Sequence, residues 1–221
     1  MRERDSYQFK GISPYSRDYQ EVFIRRVHKL LGLAYNDLNY GEYAASEEED
    51  ITGEIIRAME SFLDSPRAPD WADSFSVREE SRIHSKHRRG KRRGRLDIRI
   101  DCSEQRPRAR MPFEAKRLGR KYGTSQYIGY KGLQRFLDGR YARNETVAGM
   151  LGYVQEGEPS EWALKVEKTI NENAEKLGLL DSSPWRHKQQ VNELPHTYRS
   201  GHKRPSVGQT IEIFHTFLIF N

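Results

Sequence analysis

The stretch from Arg95 to Leu118 reads RLDIRIDCSEQRPRARMPFEAKRL, and its pattern decides the fold. Apolar and polar residues alternate in both halves, which is typical of β-strands with one buried face. The apolar members are Leu96, Ile98, Ile100, Phe113 and Ala115. Between the halves, residues 102–109 hold Ser, Pro and charged side chains, as hairpin loops do. The sequence therefore predicts two antiparallel strands joined by a loop.

The polar residues of this predicted hairpin are candidates for a metal-binding site. If the two strands pair, Asp97, Glu114 and Lys116 lie close together on one face of the sheet. Neighbouring carboxylates repel each other, and a hard divalent cation relieves this repulsion because it takes oxygen ligands. The backbone carbonyl of Ala115 can add a further oxygen. The alternative is a solvated strand face, which is where most charged side chains lie.

The combination of Asp97 with Glu114-Ala115-Lys116 on two strands resembles the PD-(D/E)XK nuclease superfamily. Leu96 stands where the family name has proline, at a position that varies within the superfamily. The resemblance covers about the central third of the chain. It implies a restriction-endonuclease-like core and a nuclease, in particular an endonuclease, that hydrolyses phosphodiester bonds with DNA preferred over RNA. It also implies Mg²⁺ or Mn²⁺ held by Asp97, Glu114 and Ala115, with Lys116 positioning the attacking water.

A further carboxylate is expected from a helix that precedes the hairpin. Ser46 and Glu49 fit a capping box, so the helix is predicted to begin near Ser46, with its acidic first turn at the positive end of the helix dipole. At about 100° per residue, Glu48 falls within the apolar stripe of this helix and Glu54 falls well off it. Many nucleases of the superfamily carry a glutamate on such a helix. The resemblance selects Glu48 as a catalytic and metal-binding residue, with Glu49 second, whereas the alternative is that these acids only cap the helix.

The composition favours an anionic partner. The formal net charge is +6 and the sequence pI is about 9.3. Nucleic acid is the commonest anionic partner of a basic protein, and the alternative is that the charge serves only solubility. Residues 84–95 are predicted to form a basic loop before the Asp97 strand, and guanidinium groups bind phosphates bidentately. Its candidate nucleic-acid contacts are Arg88, Arg89, Lys91, Arg92, Arg93 and Arg95. The alternative is a solvated loop.

Two other segments are candidates for contacts with nucleic acid. A helix predicted over residues 126–143 carries Lys131, Gln134 and Arg135, which the resemblance places beside the site. Ordinary surface charge on an amphipathic helix is the alternative for each of them. Residues 185–208 are predicted to form a second basic loop.

The remaining elements complete a mixed α/β fold with a central β-sheet flanked by helices, built as one domain over residues 1–221. Residues 1–18 are predicted to be an irregular arm that precedes a first helix. Apolar periodicity or β propensity predicts the other elements. These are a strand over 71–83, a buried strand over 147–154, a helix over 160–177 that is capped by Ser160 and stopped at Gly178, and a strand over 211–220.

Several classes of protein are disfavoured. Cys102 is the single cysteine, which excludes an intramolecular disulfide and a cysteine zinc cluster. The first residues do not resemble a signal peptide and no apolar run is long enough to span a membrane, so a cytoplasmic protein is expected. No target-recognition domain is evident, and specificity is therefore expected to be weak or supplied by a homodimer or a partner protein.

Two competing functions stay open at this point. One is a non-catalytic nucleic-acid-binding or assembly subunit that retains the nuclease fold. The other is a protein-interaction module whose basic loop meets an acidic protein. The resemblance alone, rather than any residue, suggests a bacterial defence or mobile-element setting.

Overall fold

The computed structural model describes residues 16–82 and 95–221 of the protein. The helices are α1 (Arg17–Asn36), α2 (Glu48–Leu63), α3 (Thr124–Ile128), α4 (Gln134–Leu137), α5 (Pro159–Glu172) and α6 (Ala174–Leu177). The strands are β1 (Phe75–Arg82), β2 (Arg95–Cys102), β3 (Ala109–Leu118), β4 (Val147–Val154), β5 (Arg186–His187), β6 (Thr197–Arg204) and β7 (Gln209–Ile219). Within these residues no helix combines the length and the apolar character needed to cross a lipid bilayer.

The seven strands form one mixed sheet in the order β1-β2-β3-β4-β7-β6-β5. Strands β1, β2 and β3 are antiparallel neighbours, which confirms the predicted hairpin. Strands β3, β4 and β7 run parallel, and β6 and β5 continue the sheet in antiparallel pairs. The predicted mixed α/β class, with one central sheet flanked by helices, is confirmed.

Helices cover both faces of the sheet. Helices α1 and α2 pack with β1, β2 and β3 over one apolar core, and α3, α4 and α5 pack over a second core on the other side. Strand β4 lies between them and every one of its residues is buried, as predicted for a strand covered on both faces. At Gly149 in this strand a Cβ atom would lie 2.1 Å from the ring of Phe113, so the close packing of β3 on β4 needs glycine there.

The starts of the first two helices differ from the predictions. Ser16 caps α1 by accepting a 3.2 Å hydrogen bond from the backbone N–H of Tyr19, so the helix begins at Arg17, inside the predicted arm of residues 1–18. The predicted capping box of Ser46 and Glu49 is wrong, because α2 begins at Glu48 without a side-chain cap. The carbonyl of Ser46 accepts hydrogen bonds from Arg117 and Gln155 instead, which turns the chain ahead of the helix.

Two predicted long helices are broken. The helix predicted over residues 126–143 is replaced by the short helices α3 and α4, with Gly129 and Gly132 between them. The chain folds back there, since the N–H of Leu133 bonds to the carbonyl of Tyr127 at 2.9 Å, and a Cβ at Gly132 would lie 2.0 Å from that carbonyl oxygen. The helix predicted over 160–177 divides at Asn173 into α5 and α6.

Of the two predicted ends of the helix over residues 160–177, one is confirmed and the other is wrong. Gly178 has a left-handed backbone, with φ of +62°, and ends α6 as predicted. The predicted cap at Ser160 is wrong, because Pro159 already occupies the first helical turn, where its missing N–H costs nothing.

The prediction of a basic loop over residues 185–208 is also wrong. Strands β5 and β6 lie in this segment, and β6 pairs with β7 along its whole length. Apolar alternation did not mark this strand because several of its buried residues are polar and form hydrogen bonds, although Nε of Arg204 has no partner among the described residues. They are Thr197, Ser200, His202 and Arg204.

The remaining strands lie close to their predicted positions. Strand β1 begins at Phe75, because the first residues of the predicted strand form a 3-10 turn over Asp70–Ser74. Strand β7 joins the sheet, as predicted for a segment of high β propensity, and the structure places it between β4 and β6. Most of the predicted basic loop 84–95 and most of the predicted arm lie outside the described residues.

Candidate active site

The hairpin of β2 and β3 brings the first two carboxylates together. Ile98 pairs with Phe113 across the two strands, which sets Asp97 opposite the stretch that carries Glu114. One carboxylate oxygen of Asp97, Oδ2, accepts a 2.8 Å hydrogen bond from the backbone N–H of Ala115. This bond ties the side chain of one strand to the backbone of the other, so the position of Asp97 is set by the hairpin itself.

Lys116 is the centre of the cluster. Its ammonium nitrogen lies 2.6 Å from Oε1 of Glu48 and 3.0 Å from Oε1 of Glu114, and it also donates to the carbonyl oxygen of Ala115. The second oxygen of Glu48 accepts a 3.3 Å hydrogen bond from the backbone N–H of Arg117. The first turn of α2 is thereby held against β3, and the four residues predicted to be catalytic lie together.

Of the two other glutamates considered for this role, one lines the cleft that contains the cluster and the other does not. Glu49 is exposed and lines the same cleft as Glu48. Glu54 forms a 3.0 Å ion pair with Arg57 on the exposed side of α2 and is not one of the cleft residues. The geometry therefore selects Glu48, as expected from its place in the apolar stripe.

Arg135 and Tyr141 complete the surroundings of Glu114. The guanidinium of Arg135 donates to Oε1 of Glu114 at 2.8 Å and to the hydroxyl of Tyr141 at 2.6 Å. Arg135 was predicted to contact nucleic acid, whereas here it is bonded to a site carboxylate. Tyr141 was not identified from the sequence, because the helix predicted over residues 126–143 includes it without pointing it at the site, whereas it follows the end of α4 in the structure.

The carboxylates of this cluster are held in an environment that disfavours their charge. The side chain of Glu114 is 1% exposed, and burial, followed by the charge of Asp97, raises the pKa of Glu114 to about 8. Burial also raises the pKa of Asp97 to about 6, although Lys116 opposes the shift. Burial lowers the pKa of Lys116, but the carboxylates around it outweigh this and the net shift is upward. A further cation would favour the ionised carboxylates.

The oxygen atoms that the cluster offers are of the kind that a hard divalent cation binds. Asp97, Glu114 and the carbonyl of Ala115 offer only oxygen, and Mg²⁺ usually takes one or two protein carboxylates together with waters and substrate phosphates. Oε2 of Glu114 is buried and has no hydrogen-bond partner among the described residues, so it is an oxygen available to a cation. Among residues 16–82 and 95–221, no group of three or more His, Cys, Asp or Glu side chains is arranged to hold a metal ion. Waters and substrate oxygens would therefore have to supply the remaining ligands of a cation here.

The cluster lies in a cleft of about 800 Å³. Lys131 and Arg135 line this cleft, whereas Gln134 does not. Tyr122 and Tyr130 form other parts of its wall, together with Tyr141. Of the predicted loop contacts, Arg88, Arg89, Lys91, Arg92 and Arg93 lie outside the described residues, and the backbone of Arg95 begins β2.

Comparison with known proteins adds no further information on this site. No family model matches the chain, and neither a curated protein nor a solved structure is significantly similar to it. The interpretation of the cleft therefore depends on the geometry and the chemistry of its own residues.

Proposed function

We propose that this protein is a Mg²⁺- or Mn²⁺-dependent nuclease that hydrolyses phosphodiester bonds in nucleic acid, with DNA preferred, on a restriction-endonuclease-like core. The observation that carries the proposal is the meeting of Asp97, Glu114, Lys116 and Glu48 in one cleft, from two strands and a helix. The order of an antiparallel hairpin followed by a parallel strand supports the likeness to that core.

Each residue of the cluster has a definite part in this proposal. Asp97, Glu114 and the carbonyl of Ala115 would hold the divalent cation, with Glu48 beside them. When bound, such a cation supplies Lewis-acid polarisation of a phosphoryl oxygen. Lys116 stays protonated, since its pKa is raised, and acts as a hydrogen-bond donor that positions the attacking water and stabilises negative charge on the phosphate.

The expected substrate and partners follow from charge and from the resemblance. The net charge of +6 favours a polyanion, and Lys131 provides an exposed cation in the cleft. Sequence specificity would come from a second copy of the chain or from a partner protein. A cytoplasmic protein of bacterial defence or of a mobile element is the setting that the family resemblance suggests.

A cleavage assay tests this function directly. The full chain is incubated with supercoiled plasmid, linear duplex, single-stranded DNA and single-stranded RNA, in parallel with Mg²⁺, with Mn²⁺ and with EDTA. We expect cleavage in either metal, none in EDTA, and faster cleavage of DNA than of RNA. Equal cleavage in EDTA would show that the carboxylate cluster does not act through a metal.

A non-catalytic nucleic-acid-binding subunit is the second candidate, and one observation favours it. Lys116 and Arg135 together already provide cationic partners for Glu48 and Glu114, so the cluster is partly compensated without an added ion. Such a cluster could serve only to join α2 and α4 to the sheet. Binding of nucleic acid without cleavage in either metal would support this second function.

A further inference from the structure

Tyr130 is unusually exposed for a large side chain. Among the described residues, two large hydrophobic side chains are exposed, Tyr130 at 60% and Leu164 at 65%. Tyr130 lines the cleft that contains the carboxylate cluster, whereas Leu164 lies on α5 and is not one of the cleft residues. An exposed aromatic ring does not gain the favourable free energy that burial would give it. In a binding cleft such a ring provides a contact surface for a ligand.

The ring of Tyr130 is held in place by Arg140. The central carbon of the Arg140 guanidinium, Cζ, lies 3.7 Å from the ring centroid, so this group covers one face of the ring. Arg140 is itself fixed, because it donates to the carbonyl of Tyr130 at 3.1 Å and to the carboxylate of Asp138 at 2.7 to 3.0 Å. The exposed area of Tyr130 therefore comes from its other face and its edges, on a ring that is already ordered.

The neighbour of Tyr130 supplies a positive charge. Lys131 is exposed, lines the same cleft and has no ion-pair partner in the part of the chain that the structure describes. An ordered aromatic face beside an unpaired cation is the combination by which proteins bind single-stranded nucleic acid, with the ring stacking on a base and the cation meeting the phosphate.

We propose that Tyr130 is a stacking platform for an unpaired base, and that the cleft accepts single-stranded nucleic acid in preference to intact duplex. In a duplex the faces of the bases are covered by their neighbours and only their edges are reached from the grooves. The ring of Tyr130, whose other face is covered by Arg140, can therefore stack only on a base that is unpaired. This inference rests on the proposed function, because it names the substrate class of the same cleft.

Fluorescence anisotropy in EDTA measures binding separately from cleavage. The probes are a labelled single-stranded oligonucleotide, an abasic strand of the same length, and a covalently closed duplex without free ends. The variants are Tyr130→Ala, Tyr130→Phe and, as the matched exposed control outside the cleft, Leu164→Ala. Thermal melts check that Tyr130→Ala is folded, which its exposure predicts.

We expect Tyr130→Ala to weaken binding of the single strand about tenfold, because stacking of one base on an aromatic ring is of that order. Tyr130→Phe keeps the ring and should bind like the wild type, and so should Leu164→Ala. The abasic strand should bind both Tyr130→Ala and the wild type with the same, weaker affinity.

Two results overturn the platform. One is an unchanged affinity of Tyr130→Ala for the single strand, and the other is an equal loss of affinity for the abasic strand or the closed duplex. Either result leaves the proposed nuclease function intact, provided that the wild type binds. A wild type that binds none of the three probes would instead overturn the proposed function, and the platform with it.

Discussion

Arg135 donates a 2.8 Å hydrogen bond to Oε1 of Glu114, a carboxylate whose side chain is 1% exposed. The same guanidinium nitrogen bonds to the hydroxyl of Tyr141. This pair joins α4 to the central strand β3 at the candidate active site. Burial disfavours the ionised form of Glu114, so that form depends on Lys116 and Arg135, and removing Arg135 leaves it less compensated.

We expect Arg135→Ala to destabilise the protein by about 2 kcal/mol, a value reduced from that of a fully buried pair because Arg135 is 24% exposed. It should leave the salt dependence of nucleic-acid binding unchanged, since Arg135 is bonded to a protein carboxylate. Urea denaturation and binding titrations at several salt concentrations measure the two effects.

Lys131→Ala is the matched control, because Lys131 is exposed in the same cleft without an ion pair among the described residues. It should keep the stability of the wild type and reduce the salt slope by roughly 0.7 to 0.9, the value for one phosphate contact. The opposite pattern, with a reduced slope for Arg135→Ala and no loss of stability, would assign Arg135 to the substrate.

The carboxylates and the lysine should be required for cleavage and largely dispensable for binding. Asp97→Ala, Glu114→Ala and Lys116→Ala are each expected to lower the rate of cleavage by more than about a hundredfold, because each removes a group that acts on the developing charge. Affinity for nucleic acid in EDTA should stay close to that of the wild type. Glu60→Ala, on the exposed side of α2, is the control and should cleave normally. Cleavage by Lys116→Ala at the wild-type rate would remove the lysine from the mechanism.

Thermal melts of Asp97→Asn separate a metal site from a structural ion cluster. Burial raises the pKa of Asp97, which means that the folded protein disfavours its charge. The neutral variant should therefore be at least as stable as the wild type in EDTA at neutral pH, since Asn can still accept from the N–H of Ala115. With Mn²⁺ at about a hundred times its Kd, the wild type should gain roughly 2.7 kcal/mol, and the variant should gain little.

The contrary result would be a variant destabilised in EDTA together with a wild type that Mn²⁺ leaves unchanged. That outcome would assign Asp97 to a structural role in the hairpin. Glu60→Gln serves as the control for the loss of a carboxylate outside the cluster.

A buried chain of hydrogen bonds joins β6 and β7 to α3, and its direction can be deduced. Burial lowers the pKa of His202 and of His215, so both imidazoles are neutral. Nδ1 of His202 lies 2.9 Å from the carbonyl of Leu177, which only accepts, so this nitrogen carries the single proton of the ring and Nε2 accepts from Ser200 at 2.7 Å. The hydroxyl oxygen of Ser200 then accepts from Nε2 of His215 at 2.8 Å, and Nδ1 of His215 accepts from the hydroxyl of Tyr127.

This buried hydrogen-bond network predicts that the protein loses stability as the pH falls below neutral. Burial lowers the pKa of His202 to about 4, whereas an unfolded histidine titrates near 6.5. The unfolded state thus binds more protons between these values, so the contribution of His202 is complete above about pH 6.5 and is lost as the pH falls towards about 4.

Urea denaturation across this range should show the wild type losing up to about 1.4 kcal/mol per pH unit more than His202→Gln, which has one titrating group fewer. His187→Gln, at an exposed position, is the control for replacing a histidine by glutamine. A profile of His202→Gln as steep as that of the wild type would show that His202 does not titrate in this range.

The predicted basic loop can be tested although it lies outside the described residues. Replacement of Arg88, Arg89, Arg92 and Arg93 by alanine should weaken binding to all sequences alike. It should lower the salt slope on duplex DNA by roughly 0.9 for each phosphate contact that is lost. Thermal melts provide the control for folding, and an unchanged salt slope would mean that these residues face away from the substrate.

The short-range pattern of the sequence was enough to predict the hairpin, the buried strand β4 and the strand β7. Alternation with a period of two and the turn residues between strands depend on near neighbours along the chain. The same period places Glu114 and Lys116 on one face of β3, and the antiparallel pairing brings Asp97 to them. The class of fold and the centre of the candidate site could therefore be inferred from sequence.

Only the tertiary structure decided which distant residues complete that site. Lys116 and Glu48 are 68 positions apart, and their contact depends on how α2 packs against the sheet rather than on any local pattern. Arg135 reached Glu114 because the chain turns back between α3 and α4, and β6 joined the sheet although its buried residues are polar. Hydrogen bonds and ion pairs between segments compensate the burial of such groups, and a pattern of apolar residues cannot reveal them.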